Sequence, residues 1–325
     1  FLIIASMLCM ASCDTIREDL PRCELWLEFA FDYNMEYADA FNPQVKSVDV
    51  FVFGSDDKLL FSKRAEATAL IGGNRMSLTN ELDFGNYKVL TVGSLSDNFH
   101  ALDNAGRELV PGTTTLRQLT VALKRASDIV DFEFQHLYFS GVVEVDHLPS
   151  NTDHKVYRVN LIRNTNRFNI ALMKYGEGQK NGTQYTFEIQ APESATYSWE
   201  NEPTHQGPVH YVPHYTGQGE TSDVFVSARL NTMRLFNRDG WDYQFIIKNA
   251  DTGTKIWSYD LMKLLSIARP TSRHDGTELP FQEYLDRQSE WNLIFTVTEK
   301  SGGGEFIQIG LVVGTWIYWL HGIEI

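Results

Sequence analysis

Along most of this chain apolar and polar residues alternate with period two, the mark of strands with one face on a core and one in water. The pattern is clearest at 23–33, CELWLEFAFDY. Leu25, Leu27, Phe29, Phe31 and Tyr33 fall on one side there, and Trp26, Glu28, Ala30 and Asp32 on the other. Further strands are expected at VKSVDVFVFG, at KLLFSKR after an Asp56-Asp57 turn, and in MSLTNELDFGNYKVLTVGSL, broken at Phe84-Gly85-Asn86. FEFQHLYFSGVVEVDHL continues the series. Two segments carry helical spacing instead. In TTTLRQLTVALKR, Leu116, Leu119 and Leu123 share a face behind Thr115 as N-cap. In SYDLMKLLSIAR, Leu261, Leu264, Leu265 and Ala268 do the same.

LPSNTDHK, rich in breakers, suggests a boundary, and VYRVNLIRNTNRFNIAL opens a second strand series in which Arg163 to Arg167 form a polar break. YTFEIQAP, DVFVSARL, DYQFIIKN, KIWSYD, EWNLIFTVTEK, EFIQIGLVV and the closing WIYWLHGIEI are strands. Ala250–Thr254 and Ser301–Gly304 are expected turns, and Ser198–Gly219 a long irregular stretch. Short strands between frequent turn signals indicate a mainly β fold of two tandem sandwiches, with one short helix each. The expected domains are 23–155 and 156–325.

The first 22 residues break this pattern. Residues 1–12 are apolar or small and uncharged, then Cys13 is followed by the charged spacer Asp14-Thr15-Ile16-Arg17-Glu18-Asp19-Leu20-Pro21. Twelve such residues are too short for a membrane-spanning helix but suit the apolar part of an export signal. Met10-Ala11-Ser12-Cys13 is a serviceable lipobox, which makes 1–12 the end of an incomplete lipoprotein signal peptide and 13–22 a lipid-anchored spacer. Acyl chains on Cys13 would hold the protein firmly, at about 0.8 kcal/mol per buried methylene. The competing reading is an ordinary buried segment with Cys13 as a core thiol.

Composition narrows the function. The formal charge of −14 argues against a nucleic-acid partner, since phosphate binding needs clustered cations. Of three cysteines, processing would leave Cys13 acylated and Cys23 alone, with no intrachain disulfide. His205, His210 and His214 are the best metal candidates, but no carboxylate or thiolate completes a ligand set, and a solvated loop is the simpler reading. Glu283 and Asp286 have the spacing of paired carboxylates, yet Arg287 sits where it would neutralise them, and a structural turn is the simpler reading. Cys23 beside Arg22 reads as packed rather than reactive. Asn181-Gly182-Thr183 fits a glycosylation acceptor but suffices as a turn. With no nucleophile elbow, no HExxH and no phosphate-cradling loop, the chain reads as non-enzymatic and cofactor-free.

Several segments together carry a resemblance: the lipobox with EDLPRC after it, FDYNMEYADAF followed by VKSVDVFVF, LIRNTNRF, and PFQEYLDRQSEWNLIF. They resemble the FimB-type fimbrial anchor lipoproteins of Bacteroidales, of the type V pilus system. The similarity runs from Cys13 to the last strand, where GTWIYWLHGIEI matches the family's closing Gly-Trp strand except that Thr315 intervenes. The resemblance implies two transthyretin-like β-sandwich domains and a cell-surface-exposed outer-membrane lipoprotein. Its role would be to hold the base of a pilus and limit pilus length, with fimbrillin stalk subunits as partners. Cys13 would be the acylated (palmitate-bearing) anchor, and Asp14, Glu18 and Asp19 a surface-export signal. In stalk subunits of that system a protease cuts after an Arg near the N-terminus to remove the first strand; Arg17 and Arg22 are the residues to watch here. Two alternatives stay open. One is an accessory or tip fimbrillin; the other is a surface glycan-binding lipoprotein stacking sugars on Trp199, Tyr211 and Tyr215.

Overall fold

In the computed structural model, which describes residues 24–147, 154–175, 184–204, 206–218, 223–270, 276–300 and 305–320, the alternating segments pair into sheets. The first half supplies β1 (Glu24–Ala30), β2 (Ser47–Phe53), β3 (Leu59–Glu66), β4 (Arg75–Ser77), β5 (Gly85–Gly93), β6 (Phe99–Asp103), β7 (Leu119–Leu123), β8 (Ile129–Val130), β9 (Tyr138–Ser140) and β10 (Val143–His147). β11 (His154–Arg163) and β12 (Thr165–Lys174) follow with only Asn164 between them. Then come β13 (Tyr185–Glu193), β14 (Thr196–Ser198), β15 (Gln206–Tyr211), β16 (Tyr215–Gln218) and β17 (Val224–Met233). β18 (Gln244–Asn249), β19 (Lys255–Asp260), β20 (Glu290–Glu299), β21 (Phe306–Val313) and β22 (Trp316–Trp319) complete the set. The helices are short: α1 (Phe41–Gln44), α2 (Leu261–Ser266) and α3 (Phe281–Arg287). The fold is mainly β, as the alternation predicts.

The first sheet runs β3-β2-β5-β9-β11-β1-β4, with β10 also on β5. Leu25, Leu27 and Phe29 of β1 meet Val48, Val50 and Val52 of β2, Val89, Val145, Val159 and Leu161 in one core. The other face of β2 and β5, carrying Phe51, Phe53, Leu90 and Val92, belongs to a second core. That core takes in Val121 of β7 and continues through Phe168, Phe187, Phe245 and Phe295. It lies among a three-stranded sheet, β14-β7-β6, a six-stranded sheet, β16-β17-β12-β20-β21-β22, and a five-stranded sheet, β19-β18-β13-β15-β8. Burial on both faces is why VDVFVF reads as a nearly unbroken apolar run.

The expected division at 155/156 falls inside β11, whose partners are β1 and β9. Val159 and Leu161 are needed to close the first core, so the sheet changes at Asn164 instead. Segments from either side of the boundary also share sheets, β7 with β14 and β8 with β15. The helices also differ from expectation: among the described residues the first half has α1, away from the leucine-spaced segment. Thr115 does open a turn, donating its backbone N–H to Gln118 Oε1 at 2.8 Å, but the 3₁₀ turn stops at Gln118 and β7 follows. All five residues of β7 are buried, so the leucine spacing that imitates a helix belongs to a strand covered on both faces. The second half holds two helices among the described residues. α2 lies where expected, capped by Asp260 accepting from the Lys263 N–H at 3.1 Å. α3 replaces the expected turn, and β15 and β16 lie inside the stretch expected to be irregular.

Candidate functional site

Strand β1, which follows the spacer behind Cys13, is held on both sides. Its whole length pairs in parallel with β11, from Glu24 opposite His154 to Ala30 opposite Asn160, and Trp26 to Glu28 pair antiparallel with β4. Leu25 and Leu27 are fully buried and Phe29 nearly so. Arg75 binds Glu28 Oε2 through Nε at 2.9 Å and Nη2 at 2.6 Å, closing the β4 side. The expected functional residues just ahead of β1, namely Cys13, Asp14, Arg17, Glu18, Asp19 and Arg22, lie outside the described residues, as does Cys23. Among the described residues no helix is long and apolar enough to cross a membrane.

Beyond β1 the segment FDYNMEYADAF folds into a tight loop. Asp39 Oδ1 accepts the backbone N–H of Phe31 at 2.9 Å and of Phe41 at 3.0 Å, and Asn34 Nδ2 donates to the carbonyls of Phe31 and Ala38. The loop presents Tyr33 and Tyr37 to α3. Arg287 lies over both rings, at 4.1 and 4.5 Å from their centroids, and its Nη1 donates to the Asn34 carbonyl at 3.2 Å. Cation–π contacts of this kind contribute about 0.5–2 kcal/mol each. FDYNMEYADAF and PFQEYLDRQSEWNLIF, two of the segments that carry the family resemblance, therefore meet in space, 253 residues apart in the chain.

The paired-carboxylate reading of α3 dissolves at this junction. Arg287 Nε binds Glu283 Oε1 at 2.7 Å, while Asp286 is buried and taken by Arg234, Nε to Oδ1 at 2.7 Å and Nη2 to Oδ2 at 2.9 Å. Burial alone would lower the Arg234 pKa, but the bonds to Asp286 and its charge outweigh it and leave the value raised. Both carboxylates are structural ion pairs, and sequence reasoning missed Arg234 as the partner of the second.

LIRNTNRF is the third part of the junction. Arg163, Asn164, Thr165 and Asn166 are all buried. Asn164 pairs with Asn201 side chain to side chain, Thr165 Oγ1 accepts the Leu137 N–H at 3.3 Å, and Asn166 Oδ1 accepts Trp291 Nε1–H at 3.0 Å. What the sequence presents as a polar break is the buried crossing from one sheet to the next.

His205 lies outside the described residues, and His210 on β15 has its Nδ1 2.7 Å from Glu188 Oε1, while Lys248 binds the other carboxylate oxygen. Both partners hold the Glu188 carboxyl below its usual pKa against the raising effect of its burial. His214 stands past the end of β15. No three His, Cys, Asp or Glu side chains among the described residues stand as a metal-holding group. The aromatic trio does not form a platform either. Tyr211 is fully buried with its hydroxyl 3.4 Å from Glu193 Oε1, Trp199 packs on the second core, and only Tyr215 is exposed, under Arg229 at 5.1 Å.

One apolar surface stands out at the other end of the chain. β22 ends the order of the six-stranded sheet, and Trp316 is 74% exposed, with Tyr318 and Ile317 also exposed. Across the sheet Ala171, Ile294, Val312 and Ile317 lie opposite one another in successive strands. Gly310 allows β22 to lie close, since a Cβ there would come 2.5 Å from Ile317 Cγ2 and 3.1 Å from Trp319.

The first strand is thus paired on both sides in the core, the junction behind it is held by ion pairs, and β22 is an exposed apolar edge. The likenesses to known proteins define a fimbria-associated accessory protein. The chain belongs to the family of fimbrillin-A associated anchor proteins Mfa1 and Mfa2, whose family model matches residues 20–322. A crystal structure of a candidate adhesin from Bacteroides ovatus is 76% identical, with TM-score 0.89 over 96% of this chain and 100% of that one. A candidate polysaccharide-binding protein from Bacteroides thetaiotaomicron is 28% identical, with TM-score 0.74 over 92% and 98%. The fimbrial anchor protein Mfa2 of Porphyromonas gingivalis shares the fold at 16% identity and TM-score 0.64, over 91% and 98%. No curated protein matches the chain.

Proposed function

We propose that this protein is the surface-held base of a fimbria: acylated at Cys13, exposed on the outer membrane, and limiting fimbrial length by ending growth. The observation that carries the reading is the placement of β1. Arg17 and Arg22 precede it, and no Arg occurs between Glu24 and Lys63. A cut after either Arg would part the fold from Cys13 yet leave β1 in its place between β11 and β4. Such a cut opens no groove for a partner's strand, so the chain is suited to keep its first strand and its lipid together. Docking of a fimbrial stalk subunit then falls to another surface, and the exposed apolar edge β22 fits it. An edge strand offers unpaired backbone groups and alternate side chains to an incoming strand.

Replacing Cys13 tests the reading. Cells carrying Cys13→Ala should release this protein and its fimbriae into the medium. Fimbriae that remain attached and of normal length would count against it.

A further inference from the structure

A cleft of about 310 Å³ opens beside the crossing from β11 to β12, walled among others by Gln44, Lys46, His136, Arg163, Arg167 and Glu290. That volume is at the lower end of small-ligand sites and suits a monosaccharide-sized group. Three permanent cations face one carboxylate here, in a chain whose formal charge is −14. Burial holds the His136 imidazole below its usual pKa, so it is not counted among the cations.

Arg163 is the unusual member. It is only 8% exposed and its guanidinium lies over Phe31 at 5.0 Å and Tyr138 at 5.7 Å. Its terminal nitrogens donate to Ser289 Oγ and Gln44 Oε1, both neutral. Its Nε is buried without a hydrogen-bond partner, and so is the Nε of Arg167. Glu290 does not make up the deficit. Its Oε1 lies 3.8 Å from Arg167 Nη1, beyond hydrogen-bond distance, and 3.3 Å from His136 Nε2. Arg234, similarly buried, shows the contrast, with both its Nε and Nη2 matched by Asp286. A guanidinium removed from water without an anion is costly, and a bidentate oxyanion is what its fork geometry accepts.

We propose that this cleft is a binding site for a carboxylate, carried by a sugar acid or by an Asp or Glu side chain of a partner chain, with Arg163 and Arg167 as its donors and Lys46 drawing it in. A planar carboxylate presents two oxygens to the guanidinium fork. The proposal stands apart from the anchoring role and does not depend on lipid at Cys13.

Calorimetric titration of the full chain in detergent tests it, with glucuronate, glucose, N-acetyl-aspartate methylamide and inorganic phosphate as probes. At least one of the two carboxylates should bind saturably and glucose should not; which carboxylate binds identifies the source. Arg167→Gln, at a partly exposed position, and Lys46→Gln, at an exposed one, should keep the wild-type melting temperature. Arg167→Gln should weaken carboxylate binding by about tenfold, the effect of losing one charge-assisted hydrogen bond. Because Arg163 is buried, the test rests on these two more accessible positions. The proposal is overturned if neither carboxylate saturates, if phosphate binds more tightly than both, or if Arg167→Gln and Lys46→Gln both bind as wild type.

Discussion

Buried charge is distributed unevenly among the residues of this protein, and pH exposes the difference. Glu193 is 1% exposed, and burial pushes its carboxyl up to about 7 even though it accepts the Ala195 N–H at 2.5 Å. Asp49 is pushed up to about 6, again by burial, against the opposing effect of Arg64. In both cases the folded pKa exceeds the unfolded one, so the folded state holds the proton more tightly. The stability linked to Glu193 is therefore fully present below its ordinary value of 4.5 and is lost as pH rises through about 7. The loss amounts to about 3 kcal/mol, at 1.36 kcal/mol per pKa unit. Glu193→Gln should flatten this part of the stability profile. Urea melts of the two proteins at pH 5 and pH 8 check it: the gap between the two pH values should shrink in the variant. An unchanged gap would mean that Glu193 titrates normally in the fold.

The elements differ in how openly the sequence announces them. β1 is legible because it is buried on one face, so Leu25, Leu27 and Phe29 alternate with Trp26 and Glu28. β7 is not, because burial on both faces erases the alternation and leaves only the leucine spacing. α3 shows Phe281, Tyr284 and Leu285 at helical spacing behind Pro280, but its polar residues draw the eye to a turn. Pro208 and Gly207 hide β15 in the same way. The candidate sites are harder still to read, because their contacts are remote in sequence. Arg163 meets Ser289 across 126 residues, and nothing local signals that pairing. If β1 is the keystone of the first core, Phe29→Ala should destabilise the fold by about 3–5 kcal/mol, the usual cost of emptying a buried phenylalanine site. Thermal denaturation measures this. A loss below about 1 kcal/mol would mean that the strand contributes little to the core.

On the scale of the whole molecule, three segments far apart in the chain lock the start of the fold to its far end. FDYNMEYADAF, LIRNTNRF and QEYLDRQSEW converge through Arg287 on Tyr33 and Tyr37, and through Arg163 on Ser289. These contacts tie the loop after the first strand to the second half of the chain, which carries the exposed edge β22. The proposed role as a link between membrane and filament calls for that continuity. Arg287→Ala removes both ring contacts and the Glu283 pair while leaving the core intact. It should speed local exchange of the 32–40 loop amides, read by hydrogen–deuterium exchange, with little change in β2. Equal exchange in that loop would mean that Arg287 does not hold it. Whether lipid and first strand stay on one chain is decided by the intact mass of the protein extracted from membranes. The mass should be that of a chain that begins at acylated Cys13 and retains Arg17 and Arg22; a mature chain beginning after either Arg would contradict the anchoring role.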